Sequence, residues 1–182
     1  MNRSFAKIAM VAIAAASLAA CTATRTQKTA GEQIDDSVIT GKVKAALVDN
    51  ESTKARQIDV ETFRGTVQLN GFVDSADAQA AAGRVARGVE GVKKVDNNLG
   101  IQGERRSAGE AIDDSVITAK VKAALIADKD VKAHEVNVET REGVVQLSGF
   151  VDNATAKSTA AQVARGVSGV KDVKNDLQVK SM

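Results

Sequence analysis

Apolar and polar residues alternate through Val67-Gln68-Leu69-Asn70-Gly71-Phe72-Val73-Asp74. The same alternation returns 78 positions later as Val145-Gln146-Leu147-Ser148-Gly149-Phe150-Val151-Asp152. A period of two is that of a half-buried strand. Around each copy the other elements follow in order. Ile39, Val43, Ala46 and Leu47 recur at helical spacing over 37–48, behind an acidic start at Asp35 and Asp36 that reads as a cap. Ile58, Val60 and Thr62 alternate with Asp59 and Glu61 as a strand with one wet face, and Arg64-Gly65 turns it into the Val67 strand as a hairpin. Asp74 reads as the N-cap of a second helix over 75–87, which lays Ala78, Ala81, Ala82, Val85 and Ala86 on one side and stops at Gly88. Gly91 turns the chain into a last strand through Val95, Asn97, Leu99 and Ile101.

The order α-β-β-α-β is then written again. Residues 31–102 align without a gap on 109–180, with 42 of 72 pairs identical, which is a tandem duplication of a small domain. The expected fold class is α+β: two α-β-β-α-β modules, each a three-stranded mixed sheet with both helices on one face. The final crossover, right-handed, sets strand three parallel to strand two. The expected organisation is a leader over 1–20, a tether over 21–30, module one over 31–102, a linker over 103–108 and module two over 109–180. Gly71, Gly88, Gly91, Gly149, Gly166 and Gly169 are expected to be structural. Of these, Gly71 and Gly149 lie inside strands, where glycine marks a bulge or the close approach of another backbone.

The first twenty residues differ in kind. A short basic region with Arg3 and Lys7 precedes an unbroken apolar run from Ile8 to Ala20, too short to span a bilayer as a helix. It ends Leu18-Ala19-Ala20-Cys21, which resembles the bacterial lipobox. That resemblance implies attachment of lipid to the Cys21 thiol, with palmitate among the fatty acids carried, cleavage that leaves Cys21 as the new N-terminus, and, with Thr22 following, sorting to the outer membrane. The other reading is plain signal cleavage with Cys21 a free thiol. Cys21 is the only cysteine, so no internal disulfide can form.

Loss of Arg3 and Lys7 takes the 25 basic residues to 23, against 23 acidic ones. A neutral chain without Trp or Tyr has neither the field nor the stacking surfaces for nucleic acid. Catalytic chemistry is equally absent from the pattern. His134 is the sole histidine and has no second His or Cys to make a transition-metal site with. The Asp35-Asp36 and Asp113-Asp114 pairs sit at helix starts, where capping accounts for them. No nucleophile lies beside a base, so the chain is expected to be no enzyme and to need no cofactor.

Three sets of residues carry the resemblance to a known family. They are the helix opening Asp36-Ser37-Val38-Ile39, the strand Val67-Gln68-Leu69-Asn70-Gly71, and the turn Gly88-Val89-Glu90-Gly91-Val92, each with its partner 78 residues on. The chain resembles BON-domain proteins, and with its lipobox the dual-BON outer-membrane lipoproteins. The resemblance implies a non-catalytic, lipid-anchored protein facing the periplasm, with phospholipid binding and a part in envelope integrity or osmotic stress. The alternative is a chaperone-like or structural protein-interaction module that lipidation only locates. Two surfaces are candidates for contact. Arg165, Lys171 and Lys174 could form a basic rim for anionic headgroups, or simply a solvated face. The outer side of module two's first helix, with Ala119, Lys122, Ala123 and Ile126, and Lys129 just beyond it, is more apolar than a wet helix face needs. It could meet either the sister module or an anionic phospholipid membrane, or its alanines could simply favour helix. The sequence names neither an envelope protein partner nor an oligomeric state.

Overall fold

A computed structural model describes residues 30–53, 58–101 and 108–180 of the chain. The leader, Cys21 and the linker residues 103–107 lie outside the described residues. Module one runs α1 (Ala30–Asp49), β1 (Ile58–Phe63), β2 (Thr66–Val73), α2 (Ala76–Arg87), β3 (Lys94–Asn97) and β4 (Gly100–Ile101). Module two repeats it as α3 (Ala108–Ala127), β5 (Val136–Arg141), β6 (Val144–Val151), α4 (Ala154–Arg165), β7 (Asp172–Asn175) and β8 (Gln178–Val179), with one 3-10 turn, Ala133–Glu135, before β5.

The expected topology is present in both modules. The first two strands pair antiparallel across a two-residue turn whose residues both have positive φ, Arg64 at 50° and Gly65 at 79°. That is the turn geometry whose twist matches a hairpin. β3 and β4 both pair parallel to β2. They are one strand interrupted at Asn98 and Leu99, because the register is the same on both sides of the break: Leu69 faces Asn97 and Phe72 faces Gly100.

Each module has its own core. Ile39, Val43 and Leu47 of α1 and Ala78, Ala82 and Ala86 of α2 close over Val60, Val67, Leu69 and Val73. The equivalent set around Val121, Leu125, Val145 and Leu147 fills module two. The small alanine face of α2 and α4 lets these helices lie close to the sheet.

Two expectations about helix starts are corrected. α1 and α3 begin at Ala30 and Ala108, one and a half turns before the aspartate pairs, so those aspartates are not caps. Asp36 and Asp114 are buried and turned inward. The carboxylate of Asp36 accepts from the N–H groups of Arg64 and Gly65 (2.7 and 2.9 Å), and Asp114 does the same for Glu142 and Gly143 (both 2.9 Å). They tie the first helix to the hairpin turn. Nor do Asp74 and Asp152 cap the second helices. Ser75 and Asn153 do, accepting from Ala78 and Ala156, since the next residue along is the one with extended backbone.

The largest departure from a simple reading of the pattern is on the other side of the sheets. Gln68 and Asn70 are fully buried and Gln146 and Ser148 nearly so. These residues point away from their own helices, and the two modules pack through them, β2 against β6. The molecule is a double sheet with α1 and α2 outside one layer and α3 and α4 outside the other. The contact expected between modules at the outer side of α3 is therefore made elsewhere. Ile126 is 73% exposed and Val48, its counterpart, 71%. A helix packed on its own sheet by one stripe leaves its other stripe outward, and the sister module arrives at the sheet's free face instead.

Candidate functional site

The joint between the sheets is built from two glutamines used reciprocally. In a parallel ladder in this register, the N–H of Gly71 would donate to the carbonyl of Asn98. At the break it does not. The side-chain amide of Gln146 lies between them, its Oε1 accepting from Gly71 N (2.9 Å) and its Nε2 donating to Asn98 O (2.9 Å). Gln68 fills the matching gap in module two, accepting from Gly149 N at 3.0 Å and donating to Asp176 O at 3.4 Å. Each primary amide supplies one acceptor and one donor, as a peptide unit would, so two side chains satisfy two buried N–H groups and two partly buried carbonyls.

The rim of the joint is polar. Asn137 donates to Asp59 (3.0 Å), Gln178 to Asp96 (2.7 Å), and Lys174 to the carbonyl of Asn98 (2.8 Å). One aromatic pair, Phe63 on Phe150 with centroids 5.3 Å apart, closes an end. Gly71 and Gly149 adopt φ of 107° and 118°, a region that side chains disfavour. Each glycine thus allows the strand distortion that opens the gap. The sequence shows only that both copies keep the same glutamine three residues before the same glycine.

The face of α3 away from the core carries Ala119, Lys122, Ala123 and Ile126, all exposed, with Lys129 exposed just past the helix end. The corresponding tip of α1 differs where it matters. Asp49 and Glu51, both exposed, stand where module two has Ala127 and Lys129, while Asn50 and Ser52 stand where it has Asp128 and Asp130. The three residues of the candidate basic rim have different surroundings. Lys174 is committed to the joint, bonding Asn98 O and lying 3.2 Å from Asp176. Lys171 lines an open groove of about 410 Å³ between the start of α3 and the Gly143 turn, and Arg165 sits in the last turn of α4. The equivalent groove in module one is bridged by Lys42 and Glu90 (3.3 Å), where module two has Ser168 in place of the glutamate.

Behind the tip of α3 lies a cluster of charges. Lys180 donates to Glu135 (2.6 Å) and Asp152 (2.7 Å), and Lys132 pairs with Asp152 at 2.6 Å. Hydrogen bonds from Lys132 and then Lys180 hold the Asp152 carboxyl below its ordinary value. A carboxyl whose folded value is depressed contributes stability above its unfolded value and loses it as pH falls through the folded one. Asp152→Asn is therefore expected to lower the melting temperature at pH 7. Thermal melts of the two proteins across pH should converge below the carboxylate range; a constant difference at all pH values would remove the ionic explanation. His134 is 79% exposed and 3.9 Å from Glu135. Among the described residues no group of His, Cys, Asp and Glu could hold a metal ion, and no helix is long and apolar enough to cross a membrane.

The sequence matches the BON domain family over residues 35–103 and again over 113–181. The chain belongs to that family. It is 44% identical to the osmotically-inducible protein Y of Escherichia coli (strain K12), over 82% of this chain and 75% of that protein. It is 36% identical to the outer membrane lipoprotein DolP of Haemophilus influenzae, over 80% and 75%. A structure of CdsD, a structural protein of the type III secretion system of Chlamydia trachomatis, aligns at 18% identity with a TM-score of 0.32, covering 79% of this chain and 63% of that one. Both BON domains carry the joint residues just described.

Proposed function

We propose that this BON-domain protein is a non-catalytic component of the bacterial envelope. Anchored by an acyl chain at Cys21 to the outer membrane and facing the periplasm, it contacts anionic phospholipid through the outer side of α3 and supports envelope integrity or osmotic tolerance. The observation that carries the reading is the tip of α3: Ile126, 73% exposed beside Ala123 and Ala119, between Lys122 and Lys129. Inserting an isoleucine below the headgroups is worth about 2 kcal/mol, and each lysine near an anionic surface about 1 kcal/mol. The tip of α1, with Asp49 and Glu51 and no lysine beside them, is the more acidic of the two, since at the tip of α3 Lys129 offsets one of its neighbours Asp128 and Asp130, which favours module two as the contact. The family, and relatives named for osmotic induction and for the outer membrane, agree with this setting.

The test is flotation of the unlipidated chain, begun at Thr22, with vesicles of graded anionic content. Binding should rise with anionic lipid and fall with salt. Ala123→Glu with Ile126→Glu should abolish it without changing the melting temperature. Undiminished binding by the double variant would sink this face as the contact. No binding at any composition would favour the alternative, a protein-interaction module that lipidation only locates.

A further inference from the structure

The joint between the modules ends directly behind the tip of α3. The Gly149 N–H held by Gln68 belongs to a residue whose missing side chain leaves room for the backbone carbonyl of Glu135, which packs against it. Glu135 closes the 3-10 turn that follows the tip loop, and both α3 and β6 touch that turn. The turn is fixed on its other sides by Lys180 bonded to Glu135 and Asp152, and by Lys132 bonded to Asp152. Val131, 5% exposed, pins the loop to the core. Between Val131 and the last turn of α3 lies Lys129.

We propose that Gln68 is a positioning residue: through Gly149 and Glu135, module one holds the loop over 128–135 so that Ile126 and Lys129 face an anionic phospholipid surface together. This rests on the reading of α3 as the lipid-contact face. Module one then acts as a buttress, its glutamine adding a hold on the Gly149 side of the turn to those that Lys180 and Lys132 of module two supply. The symmetry of the joint supplies the control. Gln146 makes the same contact with Gly71, but what it supports is the module whose helix tip carries Asp49 and Glu51 with no lysine between them, whereas Lys129 stands between Asp128 and Asp130 in module two. Two chemically matched lesions should therefore have unequal consequences.

The experiment compares Gln68→Met with Gln146→Met in the full chain begun at Thr22. Methionine fills the space of glutamine and makes neither hydrogen bond. Both variants should lose a similar part of their melting temperature. Vesicles of mixed anionic and zwitterionic phospholipid should bind Gln68→Met about fivefold more weakly, the worth of the lost bond to Gly149 alone, and Gln146→Met as well as the parent. Amide hydrogen exchange over 131–136 and at Gly149 should quicken in Gln68→Met alone. Because coupling between two contacts is reciprocal, vesicles should slow exchange at Gly149 in the parent. Equal losses of binding in both variants, or no loss in Gln68→Met, overturn the proposal. If the parent binds no vesicle, the lipid reading fails by itself, and unchanged exchange over 131–136 in Gln68→Met would then overturn the positioning as well.

Discussion

Gly149→Ala is expected to destabilise the protein by about 3 kcal/mol, a large share of the 5–15 kcal/mol that holds a typical domain together. Two costs combine. A φ of 118° is a region that L side chains rarely adopt, worth about 1–3 kcal/mol of strain. The new Cβ also runs into the backbone carbonyl of Glu135, which unlike a side chain cannot rotate away. The strand must move, and with it the N–H that Gln68 holds. Gly166→Ala is the matched control: its φ is −74°, and a Cβ there meets only ordinary contacts. It should change stability by no more than about 0.5 kcal/mol. Denaturant unfolding of the two variants separates the explanations, because equal effects would mean that neither the positive φ nor the close carbonyl matters.

Asp114→Ala is expected to cost about 3 kcal/mol, while Asp113→Ala beside it should cost almost nothing. Asp114 is 3% exposed and its two oxygens accept from the N–H groups of Glu142 and Gly143. Removing it leaves two donors at the hairpin turn, the one on Gly143 buried, without their carboxylate, and hydrogen bonds to a charged group are worth about 1.5–3 kcal/mol each. Asp113 is exposed. Urea midpoints of the two variants would show the contrast. Similar midpoints would mean that the bonds to the turn add nothing to stability.

That pair marks the border of what the sequence makes legible. Periodicity places every helix and strand, because each element buries one face on a core and the apolar residues must repeat accordingly. It also yields the parallel crossover and the glycine turn. It misplaces the start of α1, since the first turn and a half carries too few apolar residues to announce itself, and the aspartates look like a boundary. It says least about the joint. A strand with Gln68, Asn70 and Phe72 on one face reads as half-wet, and a polar face covered by another polar face leaves the same pattern as one covered by water. Only the number of partners differs, and that is set by the other module. The α3 tip is the reverse case: its apolar residues are evident in the sequence, but whether they meet the sister module depends on which face of the sheet stays open.

The meeting of Asp59 with Asn137 has a consequence for how such a chain could arise. The two residues occupy the same position in the two repeats and touch each other at 3.0 Å, so they lie across the approximate twofold axis. A dimer of identical modules must set identical groups across that axis, either two carboxylates that repel or two amides. Joining the copies in one polypeptide lifts that requirement, and the axis can carry a carboxylate accepting from an amide. Once it does, neither half is the best partner for its own twin, and gene fusion becomes hard to reverse. Each copy is then at liberty to diverge, one toward an outward contact and the other toward supporting it.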